Sequence, residues 1–464
     1  MSHEARLLLH GGDTMLGRGV QLTFPFQAPN EELIKDSTTA GTYLLMALHY
    51  PRSNRAGLCS HELERLRDAN RDGSYIWGDY LSELRIRPPP DVRLLNLENA
   101  VTTTTTNYDV PLKGINYHMH AKNIPKVFCR FAAASFADDE DNASSSPYVI
   151  SMANNHTLDF GRLAFEQETL PAIATLPGDV HVVGIGTSIL EAAKSARIEL
   201  LSHTGRLVNC IAVSTVCSGT PPSWRATSTQ PGMVVLPALE SAAAVQRGVE
   251  TTASVLLAND LPWPHRGDLL VLSIHWGPNW AYREHDDTQA QVFRREYAHR
   301  VIEELGVDLV YGHSSHHVRG MEIYGGKLII YGAGDLVNDY EGFTNRADTA
   351  YNTLGALFLV DLDVNDGTLS QLCLVPTFMN RLSLQRVKTN SYERWDPLRS
   401  QTVEHVDGIT ELCRTINELS RMDSGVDRID TRKSEHEGIP VELRIDDNWA
   451  SVPGGPVLVF TPTK

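Results

Sequence analysis

No apolar run in this 464-residue chain approaches the roughly 18 residues that read as a membrane-spanning helix, so no integral membrane segment is expected. No charged leader and long apolar core precede the first strand-like run, so no secretory signal is expected and a cytoplasmic location is. Cysteine is scarce. Cys59, Cys129, Cys210, Cys217, Cys373 and Cys413 are scattered without a CxxC pair and read as free thiols of a reducing compartment, not a disulfide framework. Positive charge is the minority, 41 Lys and Arg against 57 Asp and Glu, for a net charge of -16. Such a field repels phosphate backbones and anionic lipid, so neither nucleic acid nor a membrane surface is an expected partner. A small anionic substrate stays open, because a bound cation reverses the field locally. The glycines near Gly184 and Gly186 are too isolated for a dinucleotide loop, and no solenoid repeat is present. The sequence is silent on oligomeric state.

What is present is a globular composition, 42% hydrophobic and 21% charged, with one recurring grammar. A short β-rich run leads into a polar turn and then a helical stretch. Residues 6–10 lead to Gly11-Gly12-Asp13, residues 92–95 to Asn96-Leu97-Glu98, and residues 148–152 to Ala153-Asn154-Asn155-His156. Residues 269–274 lead to His275-Trp276-Gly277, and residues 307–311 to Gly312-His313-Ser314-Ser315-His316. Continuous apolar strands followed by helices predict an α/β fold with sheets covered on both faces, whose ligands gather beyond the carboxyl ends of strands. Helices are expected over 241–256 and 289–305, and in part over 403–422. Loops are expected over 28–40 and 138–146, a loop-rich extension over 423–449 and a final strand over 457–461. The organisation expected is one domain over residues 1–380, with a C-terminal extension over 381–464 packing on it or trailing from it.

Taken singly, the polar clusters are ambiguous. Asp13 after two glycines also suits a turn or a cap, Glu98 a surface carboxylate, Asn155-His156 an Asx turn, and His275 a structural histidine. The pair His313 and His316 is harder to dismiss, because spacing of three after a strand lets both imidazoles converge on one ion. Joined by carboxylate and amide oxygens from other strand ends, they make a mixed nitrogen and oxygen set, enough for one ion or two. His317 reads as pointing away or supporting, and Asp335, Asn338 and Asp339 as supporting groups or a turn. Arg18 and Arg225 are candidate cations for a carboxylate or phosphate.

In order and content these segments resemble the poly-γ-glutamate capsule-synthesis CapA family, a branch of the calcineurin-like metallophosphoesterase superfamily. The matching stretches are Gly12-Asp13-Thr14-Met15-Leu16-Gly17-Arg18, Asn96-Leu97-Glu98, Ala153-Asn154-Asn155-His156-Thr157-Leu158-Asp159-Phe160-Gly161, His275-Trp276-Gly277, Gly312-His313-Ser314-Ser315-His316-His317 and residues 327–335. The resemblance spans about residues 6–340.

The resemblance implies a metallophosphoesterase-like α/β/β/α sandwich with loop-rich insertions. It implies Asp13, Glu98, Asn155, His275, His313 and His316 as metal ligands, with Glu98 in the place of a bridging aspartate. His156 takes the place of the histidine that contacts substrate or protonates a leaving group, with Asp159 orienting it or capping a helix. Lys113, Asn116, Tyr117 and His118 lie in a segment similar to a substrate loop. Met15 departs from the superfamily, where a histidine is usual, and leaves one-ion and two-ion sites both open. The expectation is a hydrolase using water activated by one or two divalent transition-metal ions (manganese, iron or zinc). Its substrate would be a phosphoester or a γ-glutamyl-type amide, in a small metabolite or a polymer. The alternative is a non-catalytic, metal-stabilised factor binding poly-γ-glutamate or a similar polyanion.

Overall fold

The alternation of apolar side chains along the central strands divides them between two cores. In the strand Glu4–Thr14, Leu8 packs with Leu95, Ile150, Leu357 and Leu359 of neighbouring strands, while Leu7 and Leu9 point the other way. The computed structural model describes residues 4–29, 31, 39–49, 60–82, 86, 88–105, 113–128, 146–261, 267–280, 288–341, 354–387, 392–396, 401–406, 408–424, 438–447, 449, 452 and 455–462.

Among these residues two large sheets form. In the first, Arg444–Asp446, Val457–Phe460, Leu369–Asn380, Leu354–Asp363, Glu4–Thr14, Val92–Leu97, Tyr148–Ser151 and Val180–Val183 lie side by side, and the four from Glu4–Thr14 onward run parallel. In the second, Leu207–Thr215, Leu269–His275, Leu309–His313 and Lys327–Ile330 are parallel neighbours, with Met321–Tyr324 antiparallel at one side.

The sheets face each other. Leu7, Leu9, Leu94, Val149 and Phe358 of the first share a core with Val208, Cys210, Val271, Leu309 and Tyr311 of the second. On the outer face of the second sheet, Ile211, Val213, Leu272 and Val310 pack on Val245 and Val249 of helix Ala242–Ala258, and on Tyr297 and Val301 of helix Thr288–Leu305. The outer face of the first is covered by Leu44 and Leu48 of helix Ala40–His49, and by Leu63 and Leu66 of helix Ser60–Ala69. Each such buried aliphatic side chain contributes roughly 1.5–3 kcal/mol. This is the expected α/β/β/α order.

The helix expected over 241–256 starts where Ser241 caps it, its hydroxyl accepting from Ala244 N, and runs over Ala242–Ala258. The helix expected over 289–305 is Thr288–Leu305. Of the partly helical 403–422, the helix is Gly408–Asp423, preceded by the strand Gln401–Val406. After residue 380, Val457–Phe460 joins the first sheet, Ile439–Pro440 joins the second, and Asp423 pairs with Arg319 at 2.8 Å. Most of the loops expected over 28–40 and 138–146, residues 425–437 of the extension, Cys59 and Cys129 lie outside the described residues. Cys210, Cys217, Cys373 and Cys413 are free thiols. No described helix is long and apolar enough to cross a membrane.

Candidate metal centre

Parallel strands place their carboxyl ends together, and here two parallel sets meet. Asp13 lies one residue before the end of Glu4–Thr14, Glu98 follows Val92–Leu97, and Asn155 and His156 follow Tyr148–Ser151. From the other sheet, His275 and His313 end adjacent strands and face each other in register. Gly12 is required by close approach: a Cβ there would lie 2.3 Å from the Gly334 carbonyl oxygen, blocking the strand Asp335–Val337 that runs beside Asp13.

The loop after Leu309–His313 holds Ser314 at φ 95 and His316 at φ 55, left-handed conformations that cost roughly 1–3 kcal/mol each outside glycine. Contacts with the site offset this. Ser314 N donates to Asp13 Oδ2 at 3.0 Å, Ser314 Oγ donates to Gly277 O at 3.0 Å, and His316 Nδ1 lies 2.9 Å from Asp335 Oδ1.

The centre is almost wholly buried. Asn96 Nδ2 donates to Asp13 Oδ1 at 2.8 Å. His275 Nδ1 is 2.9 Å from His313 Nδ1 and 3.7 Å from Asp13 Oδ1. Its Nε2 is 2.9 Å from the Asn155 amide oxygen and 3.5 Å from Glu98 Oε1. His313 Nε2 is 2.8 Å from Ser273 Oγ. Glu98 differs from the rest: both carboxylate oxygens are buried and neither has a hydrogen-bond partner.

Burial sets the charge states. It pushes Asp13 up to about 7, with Asp335 adding to the rise and His316 opposing it. Burial and then the Asp13 charge hold Glu98 well above the usual carboxylate range. Burial holds His275 well below its ordinary value and brings His313 to about 3. His316 goes the other way: burial lowers it, but the charge and hydrogen bond of Asp335, with the Asp13 charge, together raise it. Two sets of ligand atoms converge, each within 4.8 Å: Asp13, His275 and His313, and Asp13, Glu98 and His316. Asp13 belongs to both. These buried groups could hold metal ions.

His156 stands beside this set, its Nε2 3.7 Å from Glu98 Oε1 and its Nδ1 2.5 Å from Asp159 Oδ2. Burial, then Lys113, holds its imidazole well below the ordinary value. Lys113 donates to Asp159 and to the Asn155 carbonyl, and burial still brings Asp159 up to about 7. The Tyr117 ring meets His156 edge-on, the Tyr117 backbone N–H donates to Asp159 at 2.7 Å, and Asn116 precedes it half-buried.

The remaining candidate contacts are spread out. Arg18 is buried against Asp339, and His118 Nε2 is 2.8 Å from Glu31 Oε1. Arg225 spends its guanidinium on the Val235 carbonyl, at 2.9 and 3.2 Å. His317 is buried, its Nδ1 3.1 Å from the Val318 carbonyl oxygen. Met15 packs with Tyr117 and Tyr340, its sulfur 3.6 Å from the Tyr340 hydroxyl. Asn96 and Ser273, which touch the ligand side chains, were not singled out by sequence, and Asp335, read there as a supporting group or a turn, touches His316. The signal for Asp335 was its place after another strand, Lys327–Ile330.

Residues 7–340 match the family described as bacterial capsule synthesis protein PGA_cap. A Mycobacterium tuberculosis protein named "Probable polyglutamine synthesis accessory protein" is 33% identical over 418 residues, covering 89% of this chain and 94% of that one. The Bacillus subtilis "PGA biosynthesis protein CapA" is 26% identical over 227 residues, covering 47% of this chain and 52% of that one. A solved Mycoplasma pneumoniae structure described as a novel phosphatase superposes with a TM-score of 0.34 at 9% identity, over 82% of this chain and 95% of that one. The layer order rests on sheet topology and cores, not on that superposition. By the first two matches, this chain belongs to the CapA family of bacterial capsule synthesis proteins.

Proposed function

We propose that the chain is a metal-dependent hydrolase that cleaves a phosphoester or a γ-glutamyl-type amide. The observation carrying this reading is Glu98: a carboxylate with both oxygens buried and unpartnered, 3.5 Å from His275 and sharing a ligand set with Asp13 and His316. An uncompensated buried carboxylate is costly, and a divalent cation offsets it. The donors fit such an ion, since imidazole and carboxylate together suit manganese, iron or zinc. Asp13, His275 and His313 would hold one ion, Asp13, Glu98 and His316 a second, with the Asn155 amide oxygen at their edge. When bound, the metal supplies an activated water and polarises the scissile group.

The protein's own groups do the rest. Asp159 fixes the His156 ring so that Nε2 faces the site, where the ring, once protonated, would deliver that proton to the leaving group. Lys113 holds Asp159 and the Asn155 backbone together. The alternative, a factor binding poly-γ-glutamate without cleaving it, draws on the biosynthesis and accessory names of the relatives. A net charge of -16 repels an extended polyanion, while a cation at the centre reverses the field locally for a small anionic substrate. The test is a panel of phosphoesters and γ-glutamyl amides with manganese, iron or zinc, beside metal analysis of the purified chain. Turnover that chelator abolishes supports the proposal. Tight polymer binding without cleavage anywhere in the panel supports the alternative.

A further inference from the structure

Arg18 lies at the surface of nothing: it is 5% exposed, with φ 47, in a sequence Gly17-Arg18-Gly19. Its guanidinium pairs with both oxygens of Asp339, which also accepts from Gly19 N at 3.0 Å. The same guanidinium lies 3.8 Å from the Tyr43 ring centroid, 4.3 Å from Tyr117 and 5.5 Å from Tyr340. Both flanking glycines admit these partners. A Cβ on Gly17 would lie 3.0 Å from Tyr117 Cβ, and one on Gly19 would lie 3.3 Å from Asp339 Oδ2.

Two of the three tyrosines around Arg18, Tyr117 and Tyr340, lead to the metal centre by separate routes. Tyr117 meets His156 edge-on at 4.5 Å between ring centroids. Tyr340 meets His316 edge-on at 5.5 Å. Their hydroxyls are 2.9 Å apart, so the two rings form one wall with the guanidinium behind it. A cation against aromatic faces, neutralised by one bidentate carboxylate, is a rigid unit, because the planar guanidinium fixes every partner's direction.

We infer that the Arg18–Asp339 pair is a positioning device that sets His156 and His316 together through Tyr117 and Tyr340, and that Arg18 does not contact the substrate anion. The inference rests on the hydrolase reading for its consequence but not for its test. A left-handed backbone at a non-glycine residue costs roughly 1–3 kcal/mol, and it is retained where the surroundings over-determine it. The two glycines and the aromatic cage provide that determination here. Asp339 takes Nε and one terminal nitrogen of the guanidinium, the edge with which an arginine grips an anion bidentately.

The experiment uses the full chain, labelled at histidine and loaded with zinc. Arg18→Lys and Asp339→Asn are compared with the unaltered protein by imidazole NMR and by calorimetric titration of inorganic phosphate. The expected result is movement of both the His156 and His316 signals, with those of His181 and His203 unmoved and phosphate affinity changed less than about twofold. Phosphate binding weakened tenfold or more with the imidazole signals in place overturns the inference. If these variants do not fold, Tyr340→Phe keeps the ring and removes the hydroxyl that meets Tyr117 and Met15. It should move both imidazole signals by a smaller amount, and movement of His316 alone overturns the coupling. If the unaltered chain neither binds phosphate nor turns over any substrate, the hydrolase reading fails, while the NMR arm still decides the positioning claim.

Discussion

His156 Nδ1 lies 2.5 Å from the Asp159 carboxylate, and this contact determines which ring nitrogen faces Glu98. Asp159→Asn keeps the shape and removes the charge. We expect turnover to fall about 10- to 100-fold with metal content unchanged, the size seen when an orienting carboxylate is lost. Steady-state kinetics beside elemental analysis checks this, and unchanged turnover would remove His156 as the proton donor.

Metal removal should cost stability. The Asp13 and Glu98 carboxyls are buried side by side, and an ion bound to the folded chain alone adds about 2.7 kcal/mol at a hundredfold excess over its Kd. Thermal unfolding in chelator and in excess manganese or zinc should show a higher midpoint with metal. Coincident curves would argue against any metal at this centre.

The pH response of the metal-free chain follows from Asp13, raised from 3.8 to about 7 by burial, with Asp335 adding to it. A carboxyl raised on folding contributes stability that is fully present below 3.8 and lost as pH climbs to about 7. Metal-free Asp13→Asn should therefore gain on the metal-free parent as pH rises from about 4 to about 7. Denaturant unfolding at several pH values in chelator measures the difference. A gap that is constant or closes in the other direction contradicts the assignment.

Glu341 anchors a strained turn. Arg381 and Leu382, at φ 54 and 60, link Leu369–Asn380 to Ser383–Arg386, and their N–H groups donate to the Glu341 oxygens at 2.6 and 2.7 Å. Glu341→Gln leaves one of these donors, the part-buried Arg381 N–H or the buried Leu382 N–H, unsatisfied, so a loss of about 1–3 kcal/mol is expected. Equilibrium unfolding is the measurement, and a loss below about 0.5 kcal/mol would show the turn to be held by other means.

The strands, the helices over 242–258 and 288–305 and the clustering of polar residues at strand ends were legible, because each follows from local periodicity and turn chemistry. The partners were not. Arg18 reads as a cation seeking an anion, and its anion is Asp339, 321 residues away. His118 likewise finds Glu31 across the fold, and Arg225 bonds a carbonyl that carries no sequence signature. Asp335 shares the strand-end position of the other site residues, but only the fold brings it to His316. Local pattern names a side chain's chemistry, and tertiary packing decides how that chemistry is used.

His275 and His313 are register partners on adjacent parallel strands, as Asp13 and Asp335 are on another pair. The sheets thus act as a ruler on which the ligand positions are engraved. A one-residue slip would turn His275 to the opposite face and dismantle the centre, even with every residue retained. Length changes in exposed connections that bond to neither sheet leave that ruler untouched. Engineering of this chain has its tolerant places in the connections and its intolerant ones in the strand phase.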